Sequence, residues 1–114
     1  MSKRLILAAL GAALLVFSVP FVGHADDTGL ASIHTWRKIG KKTCFVDHYH
    51  DGNGTAATRD KAEASAIRNW VEFTALEYGS DWSSFGNAAS KTMTCRQSMS
   101  EWICDLAAIP CRGR

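Results

Sequence analysis

The sequence predicts a small α+β domain: one long helix packed on a small antiparallel sheet with a C-terminal hairpin, stabilised by disulfides. Three observations predict it. The run from Asp60 to Tyr78 carries apolar residues at helical spacing. Two strand-like segments, Lys91–Gln97 and Glu101–Ala107, flank a short polar turn. Four cysteines all follow an export-like N-terminus. One helix set among strands that do not alternate with helices is an α+β pattern.

The N-terminus has three parts. Met1-Ser2-Lys3-Arg4 is basic, Leu5–Val19 is apolar and uncharged, and Pro20 breaks the run before Gly23-His24-Ala25. This is the plan of a secretory signal peptide with small residues at its cleavage site. The apolar run of 15 residues is shorter than the roughly 20 that a spanning helix needs. No cysteine follows the cleavage point, which argues against lipid attachment. The expected organisation is a signal peptide at 1–25 and one domain at 26–114, in the periplasm or secreted, with no membrane span after cleavage.

Cleavage after Ala25 leaves 89 residues, a single domain whose core alone is marginal. Disulfides are the usual remedy in an oxidising compartment. The even cysteine count leaves no spare thiol, so thiol catalysis is not expected. Of three connectivities, the preferred one is Cys44–Cys104 with Cys95–Cys111. It ties the N-terminal strand to the hairpin and pins the tail, whereas Cys95–Cys104 would only repeat a constraint that the hairpin supplies.

Removing Lys3 and Arg4 from 13 basic residues leaves 11 against 11 acidic ones. The exported chain is formally neutral, and nucleic acid is not an expected partner. Arg37, Lys38, Lys41 and Lys42 form a local basic cluster. The favoured reading is a solvated strand edge, where such residues discourage pairing between molecules. The alternative is contact with an anionic surface.

Along the chain, Asp26–Ser32 is small and polar and reads as a frayed terminus. Thr43–Asp47 is rich in β-formers and reads as a strand. Asp47–Thr58 contains Asp-Gly and Asn-Gly and reads as a loop. The helix follows, with Asp60 and Glu63 as a capping box and Gly79 as its stop signal. Ala62 and Ala66 leave room for a sheet to approach closely. Asp81 is placed to cap one turn from Trp82 to Phe85. In the C-terminal hairpin, a two-residue turn at Met99-Ser100 would set Cys95 directly opposite Cys104. Trp36, Trp70, Trp82 and Trp102 are a heavy aromatic load and read mostly as core.

The segment from Ala62 to Cys111 resembles small secreted proteins of alphaproteobacteria. The residues that carry the resemblance are Ala62, Ala66, Trp70, Tyr78, Gly79, Trp82, Phe85, Ala88, Cys95, Trp102, Cys104, Ala107, Pro110 and Cys111. The resemblance implies an envelope location and adds no mechanism.

Chemistry-bearing residues concentrate in Asp47-His48-Tyr49-His50-Asp51. If the preceding strand runs through it, His48 and His50 share a face. With Asp51 they form a candidate Zn²⁺ or Cu²⁺ site, against the plainer reading of a solvated polar turn. An EF-hand fails in either register, losing the ligand at its last position or its first acid. No Gly-x-Ser-x-Gly elbow or phosphate-cradling loop is present, so no enzyme activity and no cofactor are expected. The leading expectation is an exported binding or envelope-associated protein. Its partner would be a protein or cell-envelope glycan, met through Trp36, Arg37 and Lys38. Periplasmic metal binding is the alternative, and a small secreted hydrolase the second.

Overall fold

The computed structural model describes residues 29–113. The expected signal segment at 1–25 lies outside the described residues. The elements are α1 (Gly29–Ser32), β1 (Trp36–Ile39), β2 (Lys42–Phe45), β3 (His50–Ala56), α2 (Arg59–Tyr78), a 3₁₀ turn (Ser80–Trp82), β4 (Ala89–Ser98), β5 (Glu101–Ile109) and β6 (Cys111–Gly113). The protein is α+β, as expected, but with two antiparallel sheets rather than one. Their strand orders are β1-β2-β6 and β3-β5-β4. Among the described residues no helix is long and apolar enough to cross a membrane.

A single residue passes the chain from one sheet to the other. β5 ends at Ile109 and β6 begins at Cys111, with the buried Pro110 between them. Proline has no N–H for a ladder and breaks the strand there. Its carbonyl still accepts from Phe45 N–H at 3.2 Å, so β2 stays in register across the break.

The largest departure from the sequence reading is β3. Asp51-Gly52-Asn53-Gly54 has the composition of a turn, yet it is a strand paired with β5. Period two puts Gly52 and Gly54 on one face, and that face lies against α2. A Cβ on Gly52 would fall 2.5 Å from the Ala66 carbonyl oxygen and 2.7 Å from Trp70 Cβ. A Cβ on Gly54 would collide with the backbone at Ala62 and Ala66. The glycines serve close helix–sheet contact rather than a reversal of the chain. Ala62 and Ala66, both fully buried, are the matching small residues on the helix.

Helix α2 starts one residue earlier than Asp60. Thr58 is the N-cap and its hydroxyl accepts from Lys61 N–H, while Asp60 sits in the first turn. Both residues suit their places: threonine caps, and a carboxylate in the first turn favours the dipole. Gly79, at φ 100°, ends the helix as expected, and its N–H donates to the Ala75 carbonyl. The single turn after it spans Ser80–Trp82 with no side-chain cap, so Asp81 does not start a turn at Trp82. Within the segment expected to fray, Gly29–Ser32 instead forms α1, because Ala31 is fully buried and its carbonyl accepts the Trp36 indole N–H at 2.9 Å.

The expected disulfide pairing is corrected. Cys44 bonds Cys111 and Cys95 bonds Cys104. Each pair is directly opposed on neighbouring strands, with Cα atoms 4.0 and 4.1 Å apart. The Met99-Ser100 turn forms as predicted, since Ser98 pairs with Glu101. That register delivers Cys95 to Cys104. Cys44 belongs to the other sheet, where β6 brings Cys111 beside it. An argument from what a bond constrains in the unfolded chain cannot outweigh which sulfurs meet in the fold.

Each disulfide is part of its own core. Cys44 and Cys111 pack with Ala31, Phe45, Tyr78, Trp82 and Ile109. Cys104 packs with Ala62, Ala66, Trp70, Leu106 and Ala108, and Cys95 lies at the margin of that cluster. The tryptophans, read mostly as core, divide in two: Trp70 and Trp82 are fully buried, and Trp36 and Trp102 are half-buried.

Candidate functional site: a histidine-lined groove

The start of β3 and the C-terminal half of α2 enclose an open groove of about 370 Å³. His48, Tyr49, His50, Asp51 and Asn53 line it from the strand side, and Asn69, Phe73, Glu77 and Tyr78 from the helix.

Helical periodicity clamps His50. Trp70, Thr74 and Glu77 follow one another at spacings of four and three and so share a face of α2. The Trp70 indole N–H donates to the His50 carbonyl at 2.8 Å. Thr74 Oγ1 lies 2.9 Å from His50 Nδ1. Glu77 Oε2 lies 2.5 Å from His50 Nε2. A carboxylate only accepts, so Nε2–H donates to Glu77; in the neutral ring Nδ1 then accepts from the Thr74 hydroxyl. Both imidazole nitrogens are thereby occupied. Thr74 is fully buried, so its hydroxyl orients His50 and has no access to a substrate.

His48 belongs to a neighbouring aromatic cluster. Its Nε2 lies 2.7 Å from the Tyr78 hydroxyl. Its ring stands 4.3 Å from that of His34, whose Nδ1 donates to the Leu30 carbonyl at 2.7 Å. Burial, and then the nearby His34 and His50, hold the His48 pKa below the usual histidine value. Burial, and then the hydrogen-bonded Glu77 carboxylate, push Tyr78 up to about 12. Tyr78 thus stays a neutral phenol and donates to Glu77.

At the open rim the groove has another character. Tyr49 and Phe73 are 50% and 52% exposed, so their rings are available to a ligand. Asp51 is exposed, and its side chain has no hydrogen-bond partner among the described residues. Asn69 Oδ1 accepts from Asn53 N–H at 2.9 Å, which points the Asn69 amide along the groove edge.

The structure places His48, His50 and Asp51 along one groove, but their ligand atoms do not converge. Among the described residues, one group of three such atoms lies within 4.8 Å: Glu63 with Cys95 and Cys104. Both of those sulfurs are consumed in a disulfide. His48 precedes β3 and His50 begins it, so the two do not share a strand face as the extended-strand reading required.

The contact residues Trp36, Arg37 and Lys38 lie elsewhere, on β1, an edge strand as the basic cluster suggested. Trp36 is half-buried, with Trp82 5.1 Å from its ring and the Arg112 guanidinium 4.7 Å from its centroid. Arg37 and Lys38 are exposed. Sequence reasoning missed Tyr49, Asn69, Phe73 and Glu77 as groove residues. The available signal was Thr74, a polar residue on the apolar stripe of α2.

No family model matches the chain, and neither a curated protein nor a solved structure matches it.

Proposed function

We propose that this chain is an exported binding protein without catalytic activity, and that the groove between β3 and α2 holds a cell-envelope glycan. The observation that carries the reading is that two half-exposed aromatic rings, Tyr49 and Phe73, line one groove together with the polar residues Asp51, Asn53 and Asn69. A sugar ring has C–H faces that pack on an aromatic ring and hydroxyls that need donors and acceptors. Asn supplies both and Asp accepts. Concave sites with a few placed polar groups are where small ligands bind. The openness of the groove suits a segment of an extended chain. Export is supported by the signal-like N-terminus, by two disulfides among the described residues and by the resemblance to alphaproteobacterial secreted proteins.

The test is pull-down on insoluble peptidoglycan and other envelope polysaccharides, followed by calorimetry with soluble fragments. Tyr49→Ala and Phe73→Ala are expected to weaken binding about tenfold each, with melting temperature little changed because both rings are half exposed. Absence of binding to every glycan tested, or binding indifferent to these substitutions, overturns the reading.

A further inference from the structure

The chain is formally neutral without its signal segment, but its charge is sharply divided in space. The β1–β2 hairpin and β6 hold Arg37, Lys38, Lys41, Lys42 and Arg112 and no carboxylate. From Val46 to Pro110 the balance reverses, with nine Asp and Glu against five Lys and Arg. One sheet is therefore a cationic face on a molecule whose remainder is anionic, an arrangement that orients the protein in an external field.

The hairpin also has the shape for contact. Ile39 pairs with Lys42, so Gly40 and Lys41 form a two-residue turn, and Gly40 at φ 61° supplies the backbone such a turn needs. No atom lies within 4 Å of where a Gly40 Cβ would be, so the turn projects into solvent. The side chains of Arg37, Lys38 and Lys41 are exposed and have no hydrogen-bond or ion-pair partner among the described residues. Lys42 is directed, its ammonium donating to the Asn87 carbonyl at 2.8 Å. Between Lys38 and Lys41 stands Ile39, an exposed aliphatic side chain at the tip.

We infer that the β1–β2 hairpin docks the protein on an anionic phospholipid surface. Cations flanking an exposed aliphatic tip match headgroup phosphates above a hydrocarbon boundary. A single-stranded nucleic acid fits less well, since it needs free aromatic faces on which to stack. The hairpin's own ring, Trp36, is half-buried and already packs on Trp82 and Arg112. The Trp36–Phe45 pair closes the other end of the hairpin, about 10 Å from the tip at the rise of a strand. Phe45 leads from there to His48, with ring centroids 5.8 Å apart. Docking through the tip therefore leaves the groove uncovered.

Each cation near an anionic surface is worth about fivefold in partition at physiological salt. The experiment is co-sedimentation of the secreted protein, disulfides intact, with vesicles of phosphatidylcholine alone or mixed with phosphatidylglycerol. Binding is expected to the mixed vesicles only, and to fall steeply with salt. Lys38→Gln with Lys41→Gln is expected to reduce it roughly 25-fold at unchanged circular dichroism. Ile39→Ser is expected to weaken it with the salt dependence preserved. Asn69→Ala, in the groove, is expected to leave it unchanged, which separates this inference from the glycan reading. Equal binding to both vesicle types, no binding, or indifference to the lysine pair overturns the proposal. So does capture by DNA or heparin in preference to vesicles with Ile39→Ser without effect, which would assign the patch to a soluble polyanion.

Discussion

Gly52 lies so close to Ala66 that a Cβ on the glycine would stand 2.5 Å from the alanine carbonyl oxygen. Gly54 meets the same helix one turn earlier. The small residues of β3 and of α2 are thus two halves of one contact, and the groove exists because that contact brings the helix down on the strand.

Substitution at this contact should be costly out of proportion to its size. Gly54→Ala drives a methyl group into helix backbone, which cannot move aside as a side chain would. We expect a loss of about 3 kcal/mol, at the upper end for overpacking. Thr55→Ser, at the exposed neighbouring position, should stay within about 0.5 kcal/mol. Urea unfolding of both variants measures the difference. Equal stability would mean that β3 and α2 are not apposed as described.

The two disulfides should differ in worth. Cys44–Cys111 joins residues 67 apart in sequence, and Cys95–Cys104 joins residues 9 apart. Chain-entropy reasoning gives about 4 kcal/mol for the first and about 3 kcal/mol for the second. Replacing Cys44 and Cys111 together by Ala should lower the unfolding midpoint more than replacing Cys95 and Cys104. Peptide mapping under non-reducing conditions checks the pairing directly, and a Cys44–Cys104 fragment would contradict it.

Stability should fall with acidification in a defined window. The His48 pKa is depressed in the folded chain from an ordinary value of 6.5. Below pH 6.5 the unfolded chain takes up this proton first, so protonation favours unfolding. Melting temperature should hold above about pH 7 and drop as pH falls below 6.5, and His48→Gln should shrink the drop. Tyr78 acts at the other extreme. Its pKa rises from 10.0 to about 12, so its contribution is intact below pH 10 and is lost as pH climbs toward 12. Tyr78→Phe should blunt that alkaline loss.

Metal should not bind tightly at the histidines. Both nitrogens of His50 are engaged, by Thr74 and Glu77, and Tyr78 engages His48 Nε2. A metal would have to displace these partners or bind through His48 Nδ1 as a single ligand. Calorimetric titration with Zn²⁺ is expected to find no saturable site below about 10 μM, roughly −7 kcal/mol. A stoichiometric site in that range, lost in His48→Ala, would restore the metal reading.

The extent of the helix, its glycine stop and the C-terminal hairpin with its two-residue turn were legible in the sequence. Each is a local property: a repeat of 3.6 residues, a residue that tolerates positive φ, two alternating segments about a polar turn. The groove was legible only in part. The cluster of His48, His50 and Asp51 marked where it begins, but Asn69, Phe73 and Glu77 reach it from a helix far along the chain. Asp51-Gly52-Asn53-Gly54 misled because the composition that favours a turn also favours close packing, and only a helix lying across it distinguishes the two.

By itself, then, the sequence determined the α+β class, the long helix and the register of the β4–β5 hairpin, all through interactions among near neighbours. Tertiary structure alone decided that the strands split into two sheets at Pro110, that Cys44 meets Cys111, and that Arg112 joins the basic residues of the β1–β2 hairpin in one sheet. These depend on which distant segments come to lie side by side, and helical or strand periodicity carries no record of that.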